Sequence, residues 1–224
     1  MSARAYVIEF TGARGVGKST LSALLVRALT NRGLACRRHG PERRTVVDAA
    51  AHRLQSIADE AWALAAFTPW RPTSARTLRR LVRNYRSLRR ALANADAEGG
   101  VCSLDEGFWH LVLNLAIKTR GPDMEQIATT LSRRVREPDM LIFVTSSETR
   151  IAQRRQRRGN LGDRIHPTIG DEGRAGLLAL QALLDTRSAS NPAFGYVSLR
   201  NDDLVAAGTE VEHLADRIAA AVRT

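Results

Sequence analysis

Only two of the 224 residues are cysteine, Cys36 and Cys102, and they form no C-x-x-C pair. A disulfide framework is thereby excluded, and a reducing, cytoplasmic setting is the expected one. Clustered histidines and an H-E-x-x-H stretch are also missing, which removes the usual patterns of a protein-ligated transition metal. No run approaches the roughly 18 consecutive apolar residues of a membrane span. The chain enters a strand-like stretch almost at once, so no signal peptide and no membrane partner are expected. Repeats, low-complexity segments and proline-rich linkers are absent, and the length suits one α/β domain over residues 1–224. Lysine is nearly absent too. Of 34 basic residues only Lys18 and Lys118 are lysine, and 32 are arginine.

The formal net charge of +11 and an isoelectric point near 11.1 raise nucleic acid as a partner. An arginine skew also follows from GC-rich coding, and it suits small phosphorylated ligands, whose oxygens match the planar guanidinium fork.

What is present begins with Gly12-Ala-Arg-Gly-Val-Gly-Lys-Ser19, the pattern G-x-x-x-x-G-K-[ST]. The stretch Ala5–Phe10 before it reads as a buried strand, and Leu21, Leu24, Leu25, Ala28 and Leu29 after it recur at helical spacing. Gly33 supplies a helix stop. In a strand–loop–helix context this pattern cradles phosphates on backbone N–H groups at a helix N-terminus. Gly12, Ala13, Arg14, Gly15, Val16, Gly17, Lys18, Ser19 and Thr20 are thus the expected nucleotide-binding residues. Lys18 would reach the β- and γ-phosphates, and the Ser19 hydroxyl would hold Mg²⁺.

Further along, Leu34–Arg38 reads as a second strand ending in the loop His39–Glu42. Helical sequence runs from about Val46 to Phe67, broken by Pro69 and Pro72, and again from Thr73 or Ser74 to Ala95. In that second helix Leu78, Leu81, Val82, Tyr85, Leu88 and Leu92 form an apolar stripe. Two residues before each stands an arginine: Arg76, Arg79, Arg80, Arg83, Arg86 and Arg90. An offset of two residues is about 200° around a helix, so the basic stripe backs the apolar one. It is either a solvated face or, at one end, a contact with an anionic acceptor. Strands at Val101–Leu104, Met140–Val144 and Tyr196–Leu199 alternate with helices. One is rich in Leu111, Leu113, Leu115 and Ile117 ahead of Gly121-Pro122, one lies near 124–135, one runs from Thr145 to a stop at Gly159, and one lies near 171–186. A terminal one has Val211, Leu214, Ala215, Ile218, Ala219 and Val222 on one face. Thr145 with Glu148 has capping-box spacing. The alternation predicts a parallel sheet of about five strands covered on both faces, with ligands at the carboxyl ends of the strands.

Asp105 at such an end is the expected carboxylate for Mg²⁺. Glu106 beside it has three readings: a base for an acceptor hydroxyl, a ligand to metal-bound water, or a helix N-terminal acid. Arg154, Arg155, Arg157, Arg158 and Arg164 flank a glycine-containing loop, and a segment near residues 150–170 suits a mobile lid over phosphates. His166 reads as an exposed loop residue.

These stretches resemble the P-loop nucleoside and nucleotide kinases, and within them thymidylate kinase. Arg38-His-Gly-Pro41 stands at that family's R-x-P-G loop, Asp105-Glu106 at its Asp-Arg pair, and Gly162-Asp163-Arg164 at its lid. The resemblance implies a three-layer P-loop NTPase fold with a helical arginine-rich lid, and ATP with Mg²⁺ as cofactors. It implies Lys18, Asp105, Glu106 and Arg164 as catalytic residues, Arg154 and Arg158 near the adenine or phosphates, and Arg38, His39, Arg76 and Glu106 at the acceptor. Two departures stand out. Glu106 replaces the arginine that grips an acceptor phosphate in that family, and the Arg38 loop lacks the double glycine. A carboxylate there suits an acceptor hydroxyl. The expected function is transfer of the γ-phosphate of ATP to a nucleoside, a nucleoside monophosphate or a hydroxylated antibiotic-like molecule. A polynucleotide 5′-hydroxyl kinase and a non-kinase P-loop ATPase remain the alternatives. A GTPase is disfavoured because neither lysine lies in N-K-x-D, and an L-S-G-G-Q-like stretch is lacking. Expected partners are the small acceptor, then nucleic acid, and a second copy of the chain.

Overall fold

Burial alternates along the strands in a way that assigns each side chain to one of two cores. The computed structural model describes residues 4–39, 49–120, 123–157 and 171–223. In β1 (Tyr6–Gly12), Ile8 and Phe10 face one core, while Val7 faces the other. Strand β4 (Met140–Thr145) splits the same way, with Met140, Ile142 and Val144 on one side and Leu141 and Phe143 on the other. A parallel sheet covered on both faces needs apolar residues at both parities, hence the unbroken apolar run of β4.

With β2 (Cys36–His39), β3 (Val101–Leu104) and β5 (Tyr196–Arg200) the sheet is five-stranded, in the order β2-β3-β1-β4-β5. All its pairings are parallel. One core lies under α1 (Lys18–Asn31) and the terminal helix, here α8 (Leu204–Arg223). The other lies under α2 (Ala49–Phe67), α3 (Ala75–Glu98), α4 (Phe108–Lys118), α5 (Met124–Ser132) and α7 (Asp171–Ser190). Helix α6 (Glu148–Arg157) packs Ile151 against the first core. The chain leaves β1 toward β2 and β3, then crosses to β4 and β5. The switch falls at β1, and the crevice it opens lies at Gly12.

The amphipathic helix after residue 74 forms as its pattern predicts. Ser74 caps α3 by accepting from the Thr77 N–H at 3.1 Å, and Leu81, Val82, Tyr85, Leu88 and Leu92 are buried. Its arginines point outward, and Arg76, Arg79, Arg80, Arg83 and Arg90 are exposed. The helix continues to Glu98, three residues past expectation, because Gly99 rather than Ala95 supplies the left-handed turn. The Thr145–Glu148 capping box does not form. Thr145 is the last residue of β4, paired with Arg200. The first helical bond of α6 runs from the Ile151 N–H to the Ser147 carbonyl, and the Ser147 N–H is held by Asp202 at 2.6 Å. Strand pairing claimed Thr145, and a carboxylate from the β5–α8 connection took over the helix start. No helix among the described residues is long and apolar enough to cross a membrane.

Candidate functional site

The loop between β1 and α1 is shaped by its glycines: Gly12, Gly15 and Gly17 all have positive φ, at 137°, 91° and 96°. A Cβ on Gly12 would meet the Val144 carbonyl oxygen at 2.2 Å, so β4 leaves no room for a side chain. Between them Val16 is buried, 1% exposed, in the core under α1 and α8. Its carbonyl accepts from Asn201 Nδ2 at 2.7 Å and Arg154 Nη1 at 2.9 Å, and Arg154 also donates to the Asn201 carbonyl at 2.7 Å. The loop is therefore pinned from behind by α6 and the end of β5. Helix α1 starts at its rim, where unpaired first-turn N–H groups collect.

Lys18 donates to the carbonyls of Gly12 and Ala13 at 2.8 and 2.9 Å. Burial lowers its pKa to about 8, opposed by Glu106 and Asp105 and assisted by Arg14. Ser19 Oγ donates to Asp105 Oδ2 at 3.1 Å. Arg38, at the end of β2, pairs with the same carboxylate, its Nε at 3.2 Å from Oδ1. Sequence reading assigned Arg38 to an acceptor. The parallel β2–β3 pairing sets it beside Asp105, because His39 and Leu104 are in register.

A hydroxyl and one carboxylate suit a hard cation that keeps waters and shares a ligand's phosphate oxygens. No group of three His, Cys, Asp or Glu among the described residues forms an all-protein cage. Thr11 Oγ1, His110 Nδ1 and Asn201 Oδ1 are buried without hydrogen-bond partners among the described residues. Thr11 immediately precedes the loop in β1, Asn201 bonds the Val16 carbonyl, and His110 lies in the first turn of α4.

Glu106 follows Asp105 and is 66% exposed. It does not cap the next helix: the N-cap of α4 is Gly107. The helix start is held by Glu9, a wholly buried side chain of β1, which accepts from the N–H groups of Trp109 at 3.1 Å and His110 at 2.8 Å. A Cβ on Gly107 would lie 2.5 Å from that carboxylate. The helix-acid reading of Glu106 is thus displaced, and the Glu106 carboxylate lies in the field of Lys18. Beyond it His110, Asn114 and Lys118 follow at spacings of four along α4, whose other residues are mostly buried and apolar. His110 Nε2 is 4.0 Å from Glu106. Burial lowers the His110 pKa, with Glu106 opposing and Lys18 and Lys118 assisting. Lys118 donates to Asn114 at 2.6 Å and lies in the field of Arg80 and Glu106. Sequence reading missed this polar row. Its signal was the fourfold spacing of polar residues in an otherwise apolar helix.

Burial raises Glu9 from 4.5 to about 7, against the pull of the α4 N–H groups. Between those values the folded protein holds a proton that the unfolded chain has lost. Stability therefore falls as pH rises through this window, and the loss is complete above it. Relative to Glu9→Gln, the wild type is expected to lose on the order of 3 kcal/mol between pH 4.5 and pH 8. Urea unfolding of both proteins across this range measures it, and a constant difference would refute the assignment.

Arg154 packs against the back of the glycine loop, on the Val16 carbonyl. A cavity of about 350 Å³ beside it is lined by Arg150, Gln153, Asp202, Asp203 and Leu204. Arg76 is exposed in the first turn of α3, and this end of α3 is tied to α4 by the Thr73 N–H donating to the Lys118 carbonyl at 3.1 Å. Arg158, Arg164, His166 and residues 158–170 of the expected 150–170 lid lie outside the described residues, as does the side chain of His39. No known family model matches the sequence, and no curated protein matches it.

Proposed function

We propose that this chain is an ATP- and Mg²⁺-dependent phosphotransferase that moves the γ-phosphate of ATP to a hydroxyl of a small acceptor. The observation that carries the reading is the convergence of Lys18, Ser19 and Asp105 on one crevice, with Glu106 and the polar row of α4 along its side. In this reading the glycine loop and the α1 N-terminus bind the phosphates, and the cavity beside Arg154 takes the base. Ser19 and Asp105 hold Mg²⁺, which supplies charge neutralisation on the phosphate oxygens. Lys18 stabilises charge on the group in transfer. Glu106 accepts the proton of the acceptor hydroxyl as its oxygen bonds to the γ-phosphorus. The bond from that phosphorus to the β,γ-bridging oxygen breaks, and ADP leaves. His110, Asn114 and Lys118, with Arg80 from α3, orient the acceptor. Their mixed donors and positive charge suit a polyhydroxylated or phosphorylated molecule.

A second reading, a polynucleotide 5′-hydroxyl kinase, draws on the exposed arginine row of α3. ADP release measured across nucleosides, nucleoside monophosphates, hydroxylated antibiotics and 5′-hydroxyl oligonucleotides tests both. A small acceptor is expected to give the turnover. Turnover only with oligonucleotides, falling steeply with salt, would select the second reading. No nucleotide binding at all would remove both.

A further inference from the structure

At the opposite edge of the sheet, a cleft of about 560 Å³ opens between α2, the C-terminal half of α3 and the segment leading into β4. Arg136 places it there, since that side chain donates to the Ala5 carbonyl ahead of β1 at 2.9 Å and to Asp139 ahead of β4 at 3.0 Å. The seven residues of β1 separate this edge from the glycine loop by about 20 Å.

Five arginines, Arg86, Arg89, Arg90, Arg134 and Arg136, line the cleft against two aspartates, Asp59 and Asp96. Three are committed to the fold. Arg86 pairs with Glu60 at 2.7 Å, Arg89 with Asp59 at 3.3 Å, and Arg136 with Asp96 at 2.7 Å. Arg90 and Arg134 are exposed and have no ion-pair or hydrogen-bond partner for their side chains among the described residues. Two further donors are buried without partners among the described residues. One is Arg136 Nε of the cleft wall, and the other is the Tyr85 hydroxyl, which lies in the field of Arg89, Asp59 and Arg134. Leu92, Ala93 and Val135 give the cleft an apolar patch.

Positive charge in excess of what the fold pairs, an orphaned donor of Arg136 in the wall and a nucleotide-sized concavity occur together here. We propose that this cleft is a second anion site, which takes a small phosphorylated molecule. Arg90 and Arg134 hold the phosphate, whose several oxygens suit guanidinium forks, and the apolar patch takes the body of the ligand. The concave, three-sided shape favours a small molecule over a nucleic-acid backbone, which would track the open arginine row farther along α3. The site stands apart from the phosphotransferase reading and does not depend on it.

Calorimetry with inorganic pyrophosphate and a nucleoside monophosphate tests it, using the full chain in a Lys18→Ala background that silences the glycine loop and also carries Lys118→Ala to silence the polar row of α4. One binding event is expected to remain, and Arg90→Ser with Arg134→Ser is expected to weaken it at least about tenfold. Neither arginine carries an ion pair, so the double variant should fold, and an unchanged melting temperature confirms that. Binding that survives the loss of both arginines, or no binding in the protein carrying Lys18→Ala and Lys118→Ala alone, would overturn the proposal. Tighter binding of a single-stranded oligonucleotide than of either small probe, lost with the same two arginines, would overturn it in favour of a nucleic-acid surface.

Discussion

Lys18→Ala is expected to lower turnover by about 10²–10³-fold or more while leaving the melting temperature at or above that of the wild type. The two halves of this result have separate causes. Among the described residues the Lys18 ammonium donates hydrogen bonds only to the carbonyls of Gly12 and Ala13, and its charge is largely desolvated. Its folded pKa of about 8 lies below the ordinary 10.5. Such a lysine weakens folding by its full amount below pH 8, and the effect disappears as pH rises toward 10.5. Alanine relieves that burden at neutral pH. Steady-state kinetics at saturating nucleotide and acceptor measure the first half, and thermal unfolding the second. Near-normal turnover would remove Lys18 from the chemistry, and a large loss of stability would make it a structural residue.

Asp105→Asn is expected to reduce metal-dependent turnover by about 10²-fold and to raise the Mg²⁺ concentration needed for half-maximal activity. Metal-free nucleotide binding should change far less. Asp105 accepts from Ser19 and pairs with Arg38, so an asparagine also leaves the Arg38 charge without its partner. Arg38→Ala separates the two effects. If the ion pair were the whole role of Asp105, Arg38→Ala would reproduce the loss and the double variant would add nothing to it. A Mg²⁺ titration of Asp105→Asn that overlays the wild type would return Asp105 to a purely structural part.

The glycine loop was legible because its signal is local. Gly12 to Ser19 are contiguous, and the strand before and the helix after show their own periods within a dozen residues. The stripe of α3 was legible for the same reason: Leu81, Tyr85, Leu88 and Leu92 carry the period of a buried face. Glu9 was not. Its position in β1 gives it a buried parity, but the helix that supplies its donors begins a hundred residues later. The same holds for Arg38 with Asp105, and for Arg154 and Asn201 on the Val16 carbonyl. Thr145 shows the converse, a local capping signal overridden by pairing with β5.

Hydrophobic period and loop chemistry act between neighbours along the chain, so the sequence by itself determined the alternation of strands and helices, the glycine loop and the carboxyl-edge positions of Gly12, Asp105, Thr145 and Arg200. The strand order β2-β3-β1-β4-β5 then decided which of these meet. It set β1 between β3 and β4, and so put Ser19 against Asp105 and Val16 against Arg154. It also sealed Glu9 beneath α4, where the carboxylate accepts hydrogen bonds only from N–H groups that long-range packing delivers. Pairing between distant segments depends on register and on the burial of both sheet faces, and neither is written in any short stretch of residues.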